Sequence, residues 1–447
     1  MRTVVEPKPH ISKLWEQQEP NPETVYHLMK YVIRVNHAGK TLLHNVVTGE
    51  LVVLDRSEEE LLSTLPRSWT KEMEPLFRAH FLVPVDYDEC RQVIRIRTVL
   101  RKFNDARQKP GIVSYTILPT TACNARCYYC FEQGIKTETM TEETANEVVA
   151  FIKRNCNGNV VFLDWFGGEP TVAANRIDQI CLGLQKEGIR YSSKITTNGY
   201  LFDERMVDRA KNIWNLRSAG ISLDGTAETY NRTKQYVCAD ENPFDRVLRN
   251  IGLLAKAQIY VSVRMNYDLA NYTEFADLVA EFKDRFGTDP MIHLSVHPVN
   301  DEHVDADGRL MHGSEEWFNE KTLELNNLAR AAGLNKKSYA LPSLNTAECN
   351  ASSRSAITIT PSGNFVRCSE KLSPSEVTGN LRDGETDPQK VEAWRTFVAS
   401  GRCAECVFFP DCMTLVCCSA SEHCGFFNEK IYRVRCEIER KMKEDRA

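Results

Sequence analysis

The feature that most constrains the fold of this chain is a repeated alternation of short apolar runs with amphipathic segments between residues 111 and 300. Such alternation, with short linking loops, is typical of βα units whose strands pair in parallel. Helices are predicted at 141–154, opened by Thr141, and at 243–257. The pattern predicts strands at these six runs: 112–118, 160–166, 193–197, 219–223, 260–265 and 291–297.

Three cysteines, Cys123, Cys127 and Cys130, follow the first predicted strand at spacings of three and two residues. The loops at the carboxyl ends of barrel strands are where active sites are built. Three thiols on one short loop can bind three irons of a cubane cluster and leave the fourth iron open. Similar loops occur in ferredoxin-like cluster sites and in zinc sites, so the spacing alone predicts a metal centre and leaves its type open.

The chain has 16 cysteines among 447 residues and a formal net charge of −5. No apolar run approaches the roughly 20 residues needed to span a bilayer, and residues 1–15 carry prolines and charges where a signal peptide is apolar. We therefore expect a cytoplasmic protein that is not bound to a membrane, with reduced cysteines used for metal binding. The spread of charge, with no basic stripe, argues against nucleic acid as a partner. Four isolated cysteines are expected to be buried small side chains: Cys90, Cys156, Cys181 and Cys238.

Further motifs follow the later predicted strands. They are Gly167-Gly168-Glu169-Pro170, Thr196-Thr197-Asn198-Gly199 and Ile221-Ser222-Leu223-Asp224-Gly225. Together with the cysteine spacing and the aromatic Tyr129 before the last cysteine, these motifs resemble the signature of the radical SAM superfamily. The resemblance implies an α/β fold with a partial (β/α)6 TIM-like barrel. It also implies a 4Fe-4S cluster on Cys123, Cys127 and Cys130 that binds S-adenosyl-L-methionine (SAM).

The resemblance also implies which residues contact SAM. Gly167 and Gly168 would let backbone approach the methionine moiety, and Glu169 would bind its ammonium group. The remaining SAM contacts that the resemblance implies are Tyr129, Asn198, Ser222 and Asp224. Where the family usually has an arginine for the SAM carboxylate, this chain has Lys234, with Arg232 two residues earlier. Lysine is a point charge and arginine a bidentate fork, so the sequence leaves open which of the two acts.

Nine cysteines lie between Cys349 and Cys436, around a hairpin-like run at 357–366. They resemble the SPASM domain, which implies two auxiliary 4Fe-4S clusters and three clusters in all. The resemblance implies that the outer cluster is held by Cys403, Cys406, Cys412 and Cys436, and the inner one by Cys349, Cys368 and either Cys417 or Cys418.

A zinc ribbon would not explain the SAM motifs. The chain departs from the SPASM pattern at Ser355, which stands where the fully ligated inner cluster has a cysteine. Either Cys424 or the unused neighbour in the Cys417–Cys418 pair supplies the fourth ligand, or one auxiliary iron is open. An open iron could bind a substrate thiolate.

The first hundred residues differ in kind, with a β-meander at 31–35, 40–44 and 50–54 and helices at 58–65 and 72–80. They resemble a small peptide-recognition domain that binds a leader peptide by β-addition, and the alternative is a structural cap. The predicted divisions are 1–105 for this domain, 106–300 for the radical SAM core, 301–345 for a helical bridge with its helix at 315–332, and 346–447 for the cysteine-rich iron-sulfur domain.

We predict a radical SAM oxidoreductase that cleaves SAM to a 5′-deoxyadenosyl radical and abstracts hydrogen from a ribosomally made (RiPP) precursor peptide. The product would carry a thioether or carbon–carbon cross-link, and the auxiliary clusters would accept the surplus electron. The expected partners are the precursor peptide and a reductant such as flavodoxin or ferredoxin. Two alternatives stay open: an anaerobic sulfatase-maturing, formylglycine-generating enzyme, and a non-catalytic iron-sulfur scaffold or electron carrier.

Overall fold

The structure is a computed structural model that describes residues 1–15, 19–107, 110–299, 315–336, 340–345, 349–397, 402–412 and 427–444. Contacts divide the chain into two compact units. Unit 1 consists of Met1–Gln108, Ser338–Glu348 and Thr396–Ala447, and unit 2 of Lys109–Lys337 and Cys349–Arg395. The predicted segment 346–447 therefore contributes residues to both units, and the four-part division of the sequence stays a prediction.

The described residues in the N-terminal part of unit 1 form two small sheets and four α-helices. Sheet order is β1-β5-β4-β3 in the first sheet and β6-β2-β7 in the second, and all pairs are antiparallel. The small N-terminal sheet domain expected from the sequence is thus confirmed. Its elements are β1 (Arg2–Val5), α1 (Pro9–Ser12), β2 (Val25–Leu28), β3 (Val32–His37), β4 (Lys40–Asn45), β5 (Leu51–Val53), α2 (Arg56–Ser63), β6 (Arg67–Ser68), α3 (Glu74–Arg78), β7 (Leu82–Pro84) and α4 (Glu89–Arg107).

Helix α2 begins at a capping box that the sequence encodes. The Asp55 side chain accepts a hydrogen bond from the backbone N–H of Glu58, and the Glu58 side chain accepts one from the N–H of Asp55. Leu61 of α2 and Phe77 of α3 then pack with Leu43 of β4 in one buried cluster. Helices α2 and α3 therefore cover one face of the first sheet.

Unit 2 contains a ten-stranded sheet whose first six strands in chain order are parallel and adjacent, as the repeated βα pattern predicts. Each predicted run overlaps one of these strands, and the partial α/β barrel expected from the sequence is confirmed. The strands are β8 (Ser114–Thr120), β9 (Val161–Gly167), β10 (Tyr191–Thr197), β11 (Leu216–Ser222), β12 (Tyr260–Tyr267) and β13 (Ile292–Pro298).

Helices follow these strands and pack on one side of the sheet through a large apolar cluster. The predicted start of α5 is explained by its cap, because the Thr141 hydroxyl accepts a hydrogen bond from the Thr144 N–H at 3.1 Å. The helices of unit 2 are α5 (Glu142–Asn155), α6 (Ala174–Lys186), α7 (Glu204–Asn212), α8 (Ala227–Lys234), α9 (Pro243–Lys256), α10 (Phe275–Phe286), α11 (Glu315–Ala331) and α12 (Pro388–Ala393).

The hairpin-like run near residue 360 extends the barrel sheet. Strand β14 (Ala356–Ile359) pairs in parallel with β8, and β15 (Asn364–Val366), β16 (Gly379–Asn380) and β17 (Gly384–Glu385) continue the sheet in antiparallel fashion. The Ser355 carbonyl accepts hydrogen bonds from the N–H groups of Val113 and Ser114. The residue that departs from the SPASM pattern thus anchors β14 to the strand that precedes the three-cysteine loop.

The C-terminal residues of unit 1 form α13 (Arg402–Glu405) and α14 (Phe427–Glu444). Val434 and Ile438 of α14 pack with Ile33 of β3 and Leu42 of β4, on the opposite face of the first sheet from α2 and α3. The sheet is therefore covered on both faces. No helix in the described ranges is both long and apolar enough to cross a bilayer.

One prediction about the isolated cysteines is wrong. Cys156 and Cys181 are buried and Cys90 is half-buried, but Cys238 is exposed. Cys238 lies after α8 between Val237, which is itself exposed, and the polar residues Asp240 to Asn242, so its neighbours in sequence do not enclose it. A thiol is buried only where neighbouring apolar side chains enclose it.

Candidate functional site

The loop that carries Cys123, Cys127 and Cys130 is held at the carboxyl end of β8, and all three thiols are half-buried. Its backbone is bonded to the segment around the end of α8, because the Arg126 N–H donates to the Lys234 carbonyl at 2.7 Å. The Asn124 carbonyl accepts from the Val237 N–H at 2.9 Å. The loop is therefore fixed by bonds to a distant part of unit 2 as well as by its own turns.

Burial raises the pKa of the Cys123 thiol to about 11, and the neighbouring acidic groups, including Cys127 and Cys130, add to the shift. Burial also raises the pKa of Cys130. Among the described residues, no three His, Cys, Asp or Glu side chains converge as ligands of one ion. A cubane cluster does not require the three thiols to meet at one point, because each thiolate binds a different iron. Bound metal would also favour the thiolate, since a coordinating thiol is deprotonated.

Gly167 and Gly168 bring the end of β9 against the cysteine loop. Gly167 has φ = +106°, and a Cβ there would lie 2.4 Å from the Thr120 carbonyl oxygen. A Cβ at Gly168 would lie 2.5 Å from the Ala122 carbonyl oxygen. Glycine is thus required at both positions by the neighbouring protein backbone, whatever ligand the site holds. The Glu169 N–H completes this contact by donating to the Ala122 carbonyl at 2.9 Å.

The Glu169 carboxylate is completely buried at the end of β9. One oxygen accepts from the Thr197 hydroxyl at 2.8 Å, and from both the hydroxyl and the N–H of Thr171. The other accepts from the Asn198 N–H at 2.7 Å. Burial raises the pKa of Glu169, and these hydrogen bonds oppose the rise. The Asn198 side chain donates to the Asn124 amide oxygen at 2.7 Å, which joins this carboxylate cradle to the cysteine loop.

A second network is centred on Lys234, whose side chain is 2% exposed. Its ammonium group lies 2.8 Å from Asp224, and donates to the hydroxyls of Tyr129 at 2.7 Å and Ser222 at 2.6 Å. The Tyr129 hydroxyl in turn donates to Asp224. Burial would lower the pKa of Lys234, but Asp224 and the other acidic neighbours raise it well above its usual value. Lys234 is therefore a charged lysine with a protein acceptor for each of its three protons.

The two basic candidates that the sequence left open differ sharply in position. The Arg232 side chain is 63% exposed and lies 3.8 Å from Glu228 on the surface of α8. Lys234 is buried and contacts Tyr129, Ser222 and Asp224, which the resemblance predicts to contact SAM. The structure thus brings together Tyr129, Ser222, Asp224 and Lys234, and leaves Arg232 outside this network.

Sequence reasoning missed the contribution of β12 to the network. The backbone and side-chain N–H groups of Asn266 both donate to Asp224 at 3.0 Å. Beyond the strand, Asp268 accepts a hydrogen bond from the Tyr128 hydroxyl. The signal that could have found both residues is their place at the carboxyl end of the fifth barrel strand.

The cysteines expected to hold the inner auxiliary cluster lie in unit 2, where Cys349 is exposed and Cys368 is half-buried. Next to Cys368, the buried Arg367 donates to the carbonyls of Asn350, Ala351, Ser353 and Ala356, and pairs with Glu385. This single guanidinium holds the turn that follows Cys349. The predicted ligands Cys417, Cys418 and Cys424 lie outside the described residues.

Cys403, Cys406, Cys412 and Cys436, the expected outer set, all lie in unit 1 and are half-buried. The Cys406 N–H donates to the Cys403 carbonyl at 3.2 Å, which forms a tight turn. The Lys430 ammonium of α14 donates to the Cys412 thiol at 2.8 Å. Arg97 of α4 is almost fully buried and donates to the carbonyls of Phe409, Pro410 and Cys412. A guanidinium thus stabilises the turn before Cys412.

Residues 117–281, which contain both networks and the three-cysteine loop, match the family model of the radical SAM superfamily. They form a radical SAM domain. The Fe-coproporphyrin III synthase of Methanosarcina barkeri is 28% identical over 181 residues, 40% of this chain and 43% of the relative. A probable GTP 3′,8-cyclase of Metallosphaera sedula is 27% identical over 182 residues, 40% of this chain and 54% of the relative.

A radical SAM cyclopropyl synthase, TigE of Paramaledivibacter caminithermalis, is 20% identical over 216 residues, which are 44% of each chain. The chain spans about half the length of the curated relatives it matches. Beyond the radical SAM domain, the likeness is structural. The fold resembles native anSMEcpe with bound AdoMet, with a TM-score of 0.56 and 16% identity over 74% of this chain and 98% of that chain.

SuiB of Streptococcus suis, bound to S-adenosylmethionine, is similar with a TM-score of 0.51 and 16% identity. This likeness covers 87% of the present chain and 94% of SuiB, so it extends well beyond the radical SAM domain. At this level of identity the likeness concerns the fold.

Proposed function

We propose that the protein is a radical SAM oxidoreductase that modifies a peptide substrate. One observation carries the proposal: the three-cysteine loop is bonded through Asn124 to the Glu169 cradle and through Arg126 to the Lys234 segment. Asn124, Arg126 and Glu169 follow the carboxyl ends of adjacent parallel strands, where barrel enzymes bind substrates and cofactors, and Lys234 ends the helix that follows β11. A scaffold that only carried electrons would need no such arrangement beside its cluster.

Cys123, Cys127 and Cys130 are the proposed ligands of a 4Fe-4S cluster with one iron open to SAM. When bound, the cluster and SAM supply the one-electron cleavage that yields a 5′-deoxyadenosyl radical. Glu169 offers buried carboxylate oxygens to a positively charged ligand group, and Asn198 sits beside it. The protein's task is to orient the reacting groups and to exclude water from them.

Lys234 is proposed to act as a positioning residue. Its ammonium group contacts the hydroxyls of Ser222 and Tyr129 and the carboxylate of Asp224, and so holds these three groups in one arrangement. The side chain has no proton left for a ligand within this network, so its charge acts through these partners. The difference from the arginine of the family pattern is therefore one of geometry, with the positive charge kept.

The C-terminal cysteines are the proposed ligands of two auxiliary clusters, which would bring the total to three. Buried arginines hold the turns beside both cysteine sets, Arg367 in unit 2 and Arg97 in unit 1. Formation of a new bond on the peptide removes two hydrogens. One hydrogen atom goes to the deoxyadenosyl radical, and the second leaves as a proton and an electron, so an acceptor such as an auxiliary cluster is required. The electron for SAM cleavage is proposed to come from flavodoxin or ferredoxin.

A ribosomally made precursor peptide is the proposed substrate, in the cytoplasm. Strand β3 is an outer strand of the first sheet and pairs only with β4 among the described strands, so its other edge can receive an added peptide strand. Structures of SuiB with its precursor peptide SuiA and of anSMEcpe with a peptide share this fold at TM-scores of 0.50 and 0.56. The cross-link would be a thioether or a carbon–carbon bond.

The first test is anaerobic reconstitution of the full chain followed by addition of SAM and a strong reductant. We expect 5′-deoxyadenosine and about twelve irons per chain, given three cubane clusters. Cys127→Ala should abolish deoxyadenosine formation. Cys238→Ala should not, because Cys238 is an exposed cysteine that belongs neither to the three-cysteine loop nor to the two proposed auxiliary sets. Cluster-replete wild-type protein that forms no deoxyadenosine would contradict the enzyme proposal and favour the scaffold.

The second test examines peptides encoded beside the gene by mass spectrometry after incubation with the active enzyme. A cross-link predicts the loss of two hydrogens, and thiol alkylation separates a thioether, which consumes a cysteine, from a carbon–carbon bond. A new aldehyde that reacts with a hydrazide would instead support the formylglycine-generating alternative.

A further inference from the structure

The barrel strands have one face packed on helices and one open face. Successive strand residues alternate between the two faces, and in-register residues of parallel strands share a face. Val263 of β12 is completely buried against the helices, whereas its neighbour Arg264 is exposed on the other side. Arg264 is in register with Ser222 of β11 and Ser295 of β13. These three residues, with the other residues of their side of β9–β13, define the open face.

Two ammonium groups at the open face have acidic partners. Asp164 and Lys194, in register on β9 and β10, form an ion pair at 3.0 Å. Lys234, which reaches Ser222, is neutralised by Asp224. Within the described part of the chain, the guanidinium of Arg264 has neither a hydrogen bond nor an ion pair. Among the described residues, Arg264 is thus a bidentate cation without an acidic partner, and it lies beside the Lys234 network.

Arg264 lies outside the motifs that are expected to contact SAM. Those contacts come from β11 and from the segments that follow β8, β9, β10 and β11, whereas Arg264 lies on β12. Burial lowers the pKa of His297, and the positive charge of Arg264 lowers it further, so the guanidinium lies close to the β13 end of the open face. Exposed aromatic rings of Phe162 and Tyr260, 55% and 38% exposed, flank the same face.

We propose that Arg264 binds a carboxylate of the peptide substrate on the open face of the barrel. An arginine fork matches the two oxygens of a carboxylate and forms stronger hydrogen bonds than a neutral donor does. The carboxylate comes from an acidic side chain or from the peptide's C-terminus. This inference rests on the proposed function for the nature of the ligand, and it assigns a specificity-determining residue that the SAM motifs do not include.

The test measures binding of short probe peptides to the reconstituted, SAM-saturated full-length protein by saturation-transfer NMR. The probes are acetyl-Gly-Glu-Gly-amide, acetyl-Gly-Gln-Gly-amide and acetyl-Gly-Gln-Gly with a free C-terminal carboxylate. We expect at least one acidic probe to bind wild-type protein about tenfold or more tightly than the neutral probe. The acidic probe that binds more tightly identifies the source of the carboxylate.

Arg264→Gln should remove this preference, and Arg264→Lys, which keeps the charge without the fork, should retain part of it. Arg217→Gln is the matched control, because Arg217 is an exposed arginine on β11 at the opposite end of the strand from Ser222. The control should keep the preference. Equal binding of all three probes to wild-type protein, or an unchanged preference in Arg264→Gln, overturns the proposal.

The affinity for SAM is measured on the same proteins. A loss of SAM affinity in Arg264→Gln with an unchanged preference among the probes would assign the residue to the SAM carboxylate and overturn the proposal. Deoxyadenosine formation by wild-type protein is scored separately. Its absence, together with a probe preference that depends on Arg264, would contradict the proposed function and leave the carboxylate site standing.

Discussion

Replacement of Lys234 by methionine tests whether the buried network of the radical SAM domain depends on its one positive charge. The substitution removes an ion pair of 2.8 Å to Asp224 and two hydrogen bonds, at 2.7 Å to Tyr129 and 2.6 Å to Ser222. At an effective dielectric constant of about 20, the ion pair alone has a gross Coulomb energy of about 6 kcal/mol. The Asp224 side chain is 0% exposed, so it would be left as a buried charge without a counterion.

Breaking a buried pair by removing one partner typically costs about 3–5 kcal/mol. We therefore expect Lys234→Met to lower the free energy of unfolding by about this amount, which corresponds to a fall in Tm of roughly 6–20 °C for a large domain. The assay is urea unfolding followed by far-UV circular dichroism, with thermal unfolding in parallel. Affinity for SAM, measured on the reconstituted protein, should fall as well because Tyr129 and Ser222 lose their common partner.

The control is the double variant Asp224→Asn with Lys234→Met. Removing both charges costs far less than removing one, because no uncompensated ion stays buried. The asparagine can still accept a hydrogen bond from Asn266 and face the Tyr129 hydroxyl. We expect the double variant to recover at least half of the lost stability. The reasoning fails if the single variant loses less than about 1 kcal/mol, or if the double variant is the less stable of the two.

Three further predictions concern other parts of the chain. Arg97→Met should lower the iron bound by unit 1, because it removes the donor that holds the turn before Cys412. The iron content of the reconstituted protein measures this effect, with Arg97→Lys as the comparison variant. Unchanged iron content in both variants would contradict the role of Arg97. Gly168→Ala should displace the cysteine loop from Ala122 and cost about 1–3 kcal/mol, measured by unfolding and by iron content. Burial raises the pKa of Glu89 to about 7 from 4.5. Between these two pH values the folded protein binds a proton at Glu89 that the unfolded chain does not, so the free energy of unfolding falls as the pH rises from 4.5 to 7. Glu89→Gln should therefore be more stable than wild type above pH 7, by up to about 3 kcal/mol, with the difference shrinking toward pH 4.5; a pH-independent difference would be inconsistent with this.

The sequence predicted the barrel strands well because their pattern is local. The predicted runs 112–118 and 291–297 became Ser114–Thr120 and Ile292–Pro298, which are displaced by two residues or fewer at each end. The candidate residues Ser222 and Asp224 were named on the resemblance to the radical SAM signature, and they lie at the carboxyl end of β11 and just after it, where barrel folds build their sites. The capping signal at Thr141 likewise set the start of α5.

What the sequence missed was set by contacts between distant segments. Nothing in the run at 356–359 marks it as a partner of β8, because parallel pairing across more than two hundred residues leaves no local pattern. The packing of α14 on the first sheet is equally non-local. The two glycines were assigned to SAM on resemblance, whereas the structure gives a reason within the protein, the carbonyls of Thr120 and Ala122. The contribution of Asn266 depended on knowing which strand lies beside β11.

The pairing of β14 with β8 has a consequence for the order of events during synthesis. The edge of β8 from Ser114 to Ile117 is covered only after Ile359 has left the ribosome, roughly 240 residues after Thr120. At about 5–20 residues per second this takes on the order of 10–50 s, during which a hydrophobic strand has an unpaired edge. A chaperone or an iron-sulfur delivery protein that binds the nascent chain would have that interval in which to act, before β14 covers the edge.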